Sequence, residues 1–561
     1  MSIISLQATA TTIREVFSKA YIIPRFQRSY TWDKENCDDL WSDIMEFHKS
    51  LQESAKLSQE LQESSSQSEP FFLGSIVLYG DEDNWCIIDG QQRLTTLMLL
   101  IKALFERSIE NKSLAECLWQ KNLLTGDIDS EKPRIESRVI ENDRDHMDEI
   151  LASQGHGPGQ LKANKSTLHE NYLHLSSQID KIDSTKTELG KLILTILDKV
   201  VLLPIRCSSR SDALKIFKSI NNRGKQLEDS DIFKSEIYGL CPDEEKDQFI
   251  NRWNKIDDPM YMFRLYMYIH RANHVPHQEK EKGLLPYFEE DRFRKLKNYS
   301  AVMSDIEKIS IAHEWLMSNS YWWYIMDTSP NHYWKYPLFV FLNKHGRVDG
   351  DGLFHLDDKH DDFVRLEQET AKYCFIRGIV HNAVNRVKPA ILEACSLIAK
   401  DEDYVKAYKN SVSDDRVAFS SMMTKDGRIP SRYVRGMVLI GAMCNPNTKE
   451  SDFFDVISKK YNIEHILPKQ WKDDYYGDWD DEKSKRVMDT FGNLMPLEKK
   501  INIKAGNNFF GRKKEHYKKS KIQDAIDLSD SSKYPSKNWS YDDYAKRHEK
   551  MLERFEKFFK Y

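Results

Sequence analysis

A chain of 561 residues is too long for a single ordinary core, so two to four domains are expected, and 40% hydrophobic with 11% aromatic content is enough to build them. A formal net charge of −5 excludes a molecule that is basic all over, so any nucleic-acid surface has to be a local patch. Eight cysteines (Cys37, Cys86, Cys117, Cys207, Cys241, Cys374, Cys395 and Cys444) without one C-x-x-C pair exclude zinc ribbons and offer no disulfide framework, which fits a reducing cytoplasm.

The chain opens on MSIISLQATATTIREVF, with no basic n-region and no long apolar core, so no signal peptide is expected. No run reaches the length of a membrane span. The stretch IIPRFQRSYTW, Ile22 to Trp32, sets Arg25, Gln27, Arg28 and Tyr30 just after a proline. A Ser-, Gln- and Glu-rich insert follows at Lys49 to Pro70; its first half can extend a helix and its end reads as a loop. FFLGSIVLYG and WCIID flank the polar turn DEDN, the pattern of a β-hairpin. A helix is predicted next, because Leu94, Leu97, Met98, Ile101, Leu104 and Phe105 recur at helical spacing.

The junction between hairpin and helix reads Asp89-Gly90-Gln91-Gln92-Arg93. Free N–H groups at a helix start attract anions, Arg93 can grip a phosphate with two hydrogen bonds, and the glutamines add neutral donors and acceptors. Taken alone this is an anion site or a plain capped turn. A further polar turn, Asn221-Asn222-Arg223-Gly224, lies within KIFKSINNRGKQLEDSDIFKSEIY, followed by a helix on which Asp231 and Lys234 could form a surface pair. From about 240 to 440 the chain reads as helical, with YMFRLYMYIHR and YWKYPLFVFLNKH as buried helices and SYWWYIMDTSPNHYW as core.

Near the end, YNIEHILPKQW places Glu464 beside His465 shortly before a proline, then FGNLMPLEKKIN and AGNNFFGRKKEHYKKSK follow. Phosphodiester hydrolysis needs a base, a cation on the phosphate and cationic contacts to the backbone. His465 has the ordinary pKa for the first task. Glu464 and a downstream asparagine offer the hard oxygens that Mg²⁺ prefers. Nine Lys and Arg against two acids between Glu498 and Lys521 provide the contacts. Neighbouring strand residues face opposite ways, so Glu464 and His465 share a site only where the strand ends or twists, and Pro468 favours an early end.

The series IPRFQRSYTW, FFLGSIVL, DGQQRLTTL and FKSINNRGKQLEDSDIFK resembles the N-terminal domain of GmrSD-type, modification-dependent restriction enzymes, which looks like the ParB/sulfiredoxin-like fold. The order Glu-His-Ile-x-Pro, Gly-Asn-Leu and an Asn-containing helix start resembles HNH nucleases of the ββα-metal class, and more narrowly the C-terminal domain of the same enzymes. The resemblance implies an α+β, predominantly helical protein with a ParB/sulfiredoxin-like α/β nucleotide-binding domain at 1–240, a helical middle region at 241–420 and a ββα-metal HNH nuclease domain at 421–561. It implies a nucleoside triphosphate (GTP, ATP or UTP) held by Gln27, Arg28, Asp89, Gly90, Gln91, Gln92, Arg93, Asn222 and Arg223. It implies His465 as general base and Asn493 as the residue that orders the centre, or a ligand itself. Glu464 with Asn502 or Asn507 would hold Mg²⁺ or Mn²⁺, and DNA would lie on Lys499, Lys500, Arg512, Lys513 and Lys514. The implied function is type IV restriction of phage DNA carrying modified bases such as glucosylated hydroxymethylcytosine, by a cytoplasmic enzyme with room for a homodimer. The competing readings are a nucleotide-sensing nuclease acting on RNA or unmodified DNA, and a non-catalytic nucleic-acid-binding regulator. No Gly-x-x-x-x-Gly-Lys-Ser/Thr loop is present, so nucleotide hydrolysis would not come from a P-loop.

Overall fold

The computed structural model describes residues 6–61, 69–80, 84–122, 125–139, 143–153, 166–182, 185–220, 229–289, 299–424, 429–471, 476 and 478–560. The chain divides into two compact units, Met1–Lys255 and Ile256–Tyr561. The three-way division at 240 and 420 therefore meets two units, because the middle helices and the C-terminal part share one core. Trp322 stacks on Phe558 with ring centroids 5.4 Å apart, and Phe419 meets Phe559 at 4.9 Å. No described helix is long and apolar enough to cross a membrane.

The first unit is built on a seven-stranded sheet in the order Leu6–Ala8, Val200–Cys207, Phe71–Gly80, Trp85–Asp89, Tyr21–Ile23, Ile135–Ser137, with Thr11–Thr12 also on Val200–Cys207. The predicted hairpin forms, with Leu78 opposite Ile87 and Gly80 opposite Trp85. Tyr21–Ile23 runs parallel to both Trp85–Asp89 and Ile135–Ser137. Three carboxyl ends therefore share one edge, the place where sheets of this kind bind ligands.

The helix Gln91–Phe105 follows the hairpin at once, as the periodicity predicts. It is buried on every side: Leu94, Leu97, Met98, Leu99, Leu100 and Ile101 are all fully covered. Even Lys102 is covered, its ammonium donating to Glu106 and the Ser153 carbonyl. Gly90 makes the tight entry possible. Its φ is +89°, and a Cβ there would stand 2.5 Å from Ile76 Cγ2. Gly90→Ala is expected to cost about 2–5 kcal/mol, combining left-handed strain with overpacking, read as a lower midpoint in thermal or urea denaturation of the whole chain.

In the second unit the helices Pro259–His274 and Lys335–His345 form where the apolar runs predict them, and Trp322, Trp323 and Trp334 are core. Near its end, strand Tyr461–His465 pairs antiparallel with Leu494–Glu498, His465 opposite Leu494, and helix Lys499–Ala505 follows directly. The long helix Tyr541–Phe559 braces this hairpin. Arg547 donates to the Phe491 and Gly492 carbonyls, at 2.6 and 2.9 Å, and His548 Nδ1 accepts from Gly492 N–H.

Candidate functional site

At the shared strand edge of the first unit, the glutamines singled out in the sequence act on the protein's own backbone. Gln92 is buried; its Oε1 accepts from the N–H groups of Thr31 (2.8 Å) and Trp32 (3.2 Å), and its Nε2 donates to the Ser29 carbonyl at 3.1 Å. Gln91 Nε2 donates to the Arg28 carbonyl at 3.1 Å, and Gln27 Nε2 to the Ile88 carbonyl at 3.0 Å. Three amides thus fasten the segment after Pro24 across the mouth of the helix. This answers why long polar side chains crowd one turn: they satisfy a loop backbone that would otherwise be buried without partners.

Arg93 departs from its expected role. Its guanidinium lies over Gly74, where a Cβ would come within 3.0 Å of it, and donates to the Ser75 carbonyl at 2.9 Å. It braces the hairpin and does not line the cleft. Burial raises the Asp89 carboxyl above its ordinary range, against the opposing pull of the Gly90 N–H, Arg93 and Arg28. The cleft itself is small, about 20 Å³, and is lined by Arg28, Tyr30, Gln91, Ser137 and Asp143 among others. Gln91 Oε1 and Ser137 Oγ are buried without a hydrogen-bond partner among the described residues. Unsatisfied buried acceptors are costly, and the space beside them suits a small donor such as a water. Asn222 and Arg223 lie outside the described residues. Lys234 is buried and donates to Asn254 Oδ1 at 3.1 Å.

In the second unit, the strand carrying Glu464 and His465 ends at His465, as Pro468 suggested. Asn493 fixes the exit. Fully buried, it accepts from Leu467 N–H at 2.7 Å and donates to the carbonyls of Met488 (3.0 Å) and Leu467 (3.2 Å). His465 is half-buried, with Nε2 3.1 Å from Asp489 Oδ1. With Nε2–H donating to Asp489, the neutral ring keeps its lone pair on Nδ1. Burial lowers the His465 pKa below its ordinary value, opposed by Asp489, so the ring is neutral and basic at pH 7. Asp489 was missed in the sequence because the motif spacing gives no hint that residue 489 returns to residue 465.

Glu464 points the other way and is buried. Its Oε1 accepts from Lys513 Nζ (2.8 Å) and Tyr517 OH (2.6 Å), and its Oε2 from Asn502 Nδ2 (2.7 Å). Lys513 also donates to the His465 carbonyl at 2.6 Å. Lys513 is therefore a buried counter-charge and not a DNA contact, a correction to its sequence reading. Lys514 is likewise buried, donating to the Tyr534 and Ser536 carbonyls. Lys499, Lys500 and Arg512 are exposed. Asn502 touches Glu464 and Asn462, whereas Asn507 is exposed and donates to Gln470 Oε1 at 3.2 Å. Among the described residues no three His, Cys, Asp or Glu side chains gather closely enough to cage a metal ion.

Two family models match the chain. The one described as GmrSD restriction endonuclease, N-terminal domain, matches residues 13–238, and the one described as GmrSD restriction endonucleases, C-terminal domain, matches residues 412–554. No curated protein matches it.

Proposed function

Because the chain belongs to the GmrSD restriction endonuclease family, we propose that it cuts double-stranded DNA bearing modified bases, with a divalent ion at the HNH-type hairpin and a nucleoside triphosphate in the N-terminal cleft. The observation that carries the nuclease half is His465, a half-buried imidazole at a strand end, held through Nε2 by Asp489 and leaving Nδ1 without a partner among the described residues. The strand pair and following helix that present it have the β-β-α order of the HNH class.

In this reading Nδ1 of His465 takes the proton from the attacking water, and Asp489 steadies the imidazolium that results. Exposed Lys499, Lys500 and Arg512 meet backbone phosphates. The resemblance assigns Mg²⁺ or Mn²⁺ to Glu464 and Asn502, but both Glu464 oxygens already accept from Lys513, Tyr517 and Asn502, and Asn502 Oδ1 accepts from Asn462, so these two side chains would hold an ion only after giving up those bonds. Such an ion, when bound, stabilises charge on the phosphate and the leaving oxygen. Lys513 already neutralises Glu464, so metal affinity without DNA should be low.

In the first unit, Arg28 and the N–H groups at the start of helix Gln91–Phe105 would face the phosphates at the mouth of the small cleft. Arg28→Ala is expected to weaken triphosphate binding by about 10-fold or more, the usual loss for a charged hydrogen bond, measured by calorimetry with GTP, ATP and UTP in turn. The whole reading is tested by cleavage of a panel of modified and unmodified duplexes with Mg²⁺ or Mn²⁺, with and without each triphosphate. Selective cutting of modified duplexes is expected; equal cutting of unmodified plasmid would overturn the modification-dependent part.

A further inference from the structure

The second unit contains a cleft of about 250 Å³ that the chemistry above leaves unused. It is walled by the helices Tyr299–Asn319, Tyr321–Met326, His360–His381 and Glu450–Ile457. Trp315, Tyr321, Phe363 and Phe454 give it aromatic surface, and two acids, Glu367 and Glu450, line it. No lysine or arginine is among the described residues that line it.

The two acids differ. Glu450 is exposed and accepts from Tyr321 OH at 3.3 Å. Glu367 is only 2% exposed. Its Oε1 accepts the hydroxyl of Ser320, the N-cap of helix Tyr321–Met326, and its Oε2 has no hydrogen-bond partner among the described residues. Burial pushes the Glu367 carboxyl up to about 8, so at neutral pH it carries a proton. The cleft therefore offers one acidic donor and one ionised acceptor beside half-exposed aromatic faces. Without a cation it repels phosphate. A group that both donates and accepts, as a hydroxyl does, matches this pair, and a ring bearing it can lie against Trp315 and Tyr321. The volume suits a single base or sugar ring.

We propose that this cleft receives an uncharged, hydroxyl-bearing ring carried by a modified base, seated on Trp315 and Tyr321 and read by Glu367 and Glu450. The inference rests on the modified-DNA reading above. The ring is either the hydroxymethylated base itself or a sugar attached to it.

The test uses the full chain without DNA, following tryptophan fluorescence and calorimetry with three probes: 5-hydroxymethyl-2′-deoxycytidine, methyl glucoside and 2′-deoxycytidine. Saturable binding of at least one of the first two probes is expected at about millimolar concentration, with 2′-deoxycytidine, which has no hydroxyl on its base and only those of its deoxyribose, about 5-fold weaker or worse. Binding of the glucoside alone identifies the sugar as the ligand; binding of the hydroxymethyl nucleoside alone identifies the base. Glu450→Gln, a change at an exposed side chain, should weaken binding about 5-fold, and Glu367→Ala about 10-fold. Glu367→Gln keeps an uncharged donor and should stay within about 3-fold at pH 7. Above pH 8 it should bind better than the parent, whose Glu367 then ionises. The other titratable groups in the cleft, Glu450, Tyr321 and His360, are common to both proteins. Absence of saturable binding, equal binding of 2′-deoxycytidine, or indifference to both acid substitutions would overturn the proposal. No cleavage is read, so such a failure leaves the nuclease reading to be judged by the duplex panel.

Discussion

His465→Ala is expected to reduce DNA cleavage by about 10²–10⁴-fold, the range over which a positioned general base contributes. The loss should fall on the cleavage step, with binding of uncut duplex nearly unchanged, because Lys499, Lys500 and Arg512 remain exposed. The pH profile gives a second check. Burial lowers the His465 pKa, so the neutral, proton-accepting form persists below the ordinary histidine range, and the acid limb of the rate profile should lie below pH 6.5. Asp489 opposes that shift; Asp489→Asn should move the limb further down while lowering the rate. Single-turnover cleavage of a defined duplex across pH 5 to 8 reads both effects. Full activity in His465→Ala would remove the imidazole from the mechanism.

The second large effect is on stability. Glu464→Gln leaves the Lys513 ammonium, only 1% exposed, without its carboxylate. Breaking a buried ion pair from one side costs about 3–5 kcal/mol, more than the surviving contacts to Asn502 and Tyr517 can restore. Burial already lowers the Lys513 pKa, with Glu464 the group that holds it up. In the variant it should fall further. A folded-state pKa below the unfolded one destabilises the fold at lower pH, and this penalty fades as pH rises toward the ordinary lysine value. The deficit in denaturation midpoint should therefore narrow between pH 7 and pH 10. Adding Lys513→Met should recover much of the loss, because the pair is then absent rather than broken. An unaltered midpoint in Glu464→Gln would mean that the buried pair contributes little.

Much of the architecture could be read from the chain because it follows from local rules. The pairing of Phe71–Gly80 with Trp85–Asp89, the helix after Gly90 and the early end of the strand before Pro468 each follow from periodicity or from glycine and proline geometry. The partners of the polar side chains could not be read in the same way. Nothing local tells that Arg93 turns back to Ser75, that Gln92 fastens residues 29–32, or that Lys513 spans to Glu464. These contacts join residues 18 to 63 positions apart, and tertiary packing alone decides them. A dense basic run likewise does not reveal which lysines face inward: Lys513 and Lys514 do, and Arg512 does not.

The adjacency of Glu464 and His465 makes the nuclease hairpin intolerant of frame errors. One side chain anchors the interior and the next presents the reactive nitrogen, so a shift of one position along Leu494–Glu498 would bury the imidazole and expel the carboxylate together. A single residue inserted between Tyr461 and Glu464 should thus abolish activity and folding at once, whereas the same insertion in an exposed loop should be borne. Misalignment here cannot yield a stable protein with a misplaced base, and that ties the accuracy of the catalytic centre to the survival of the fold.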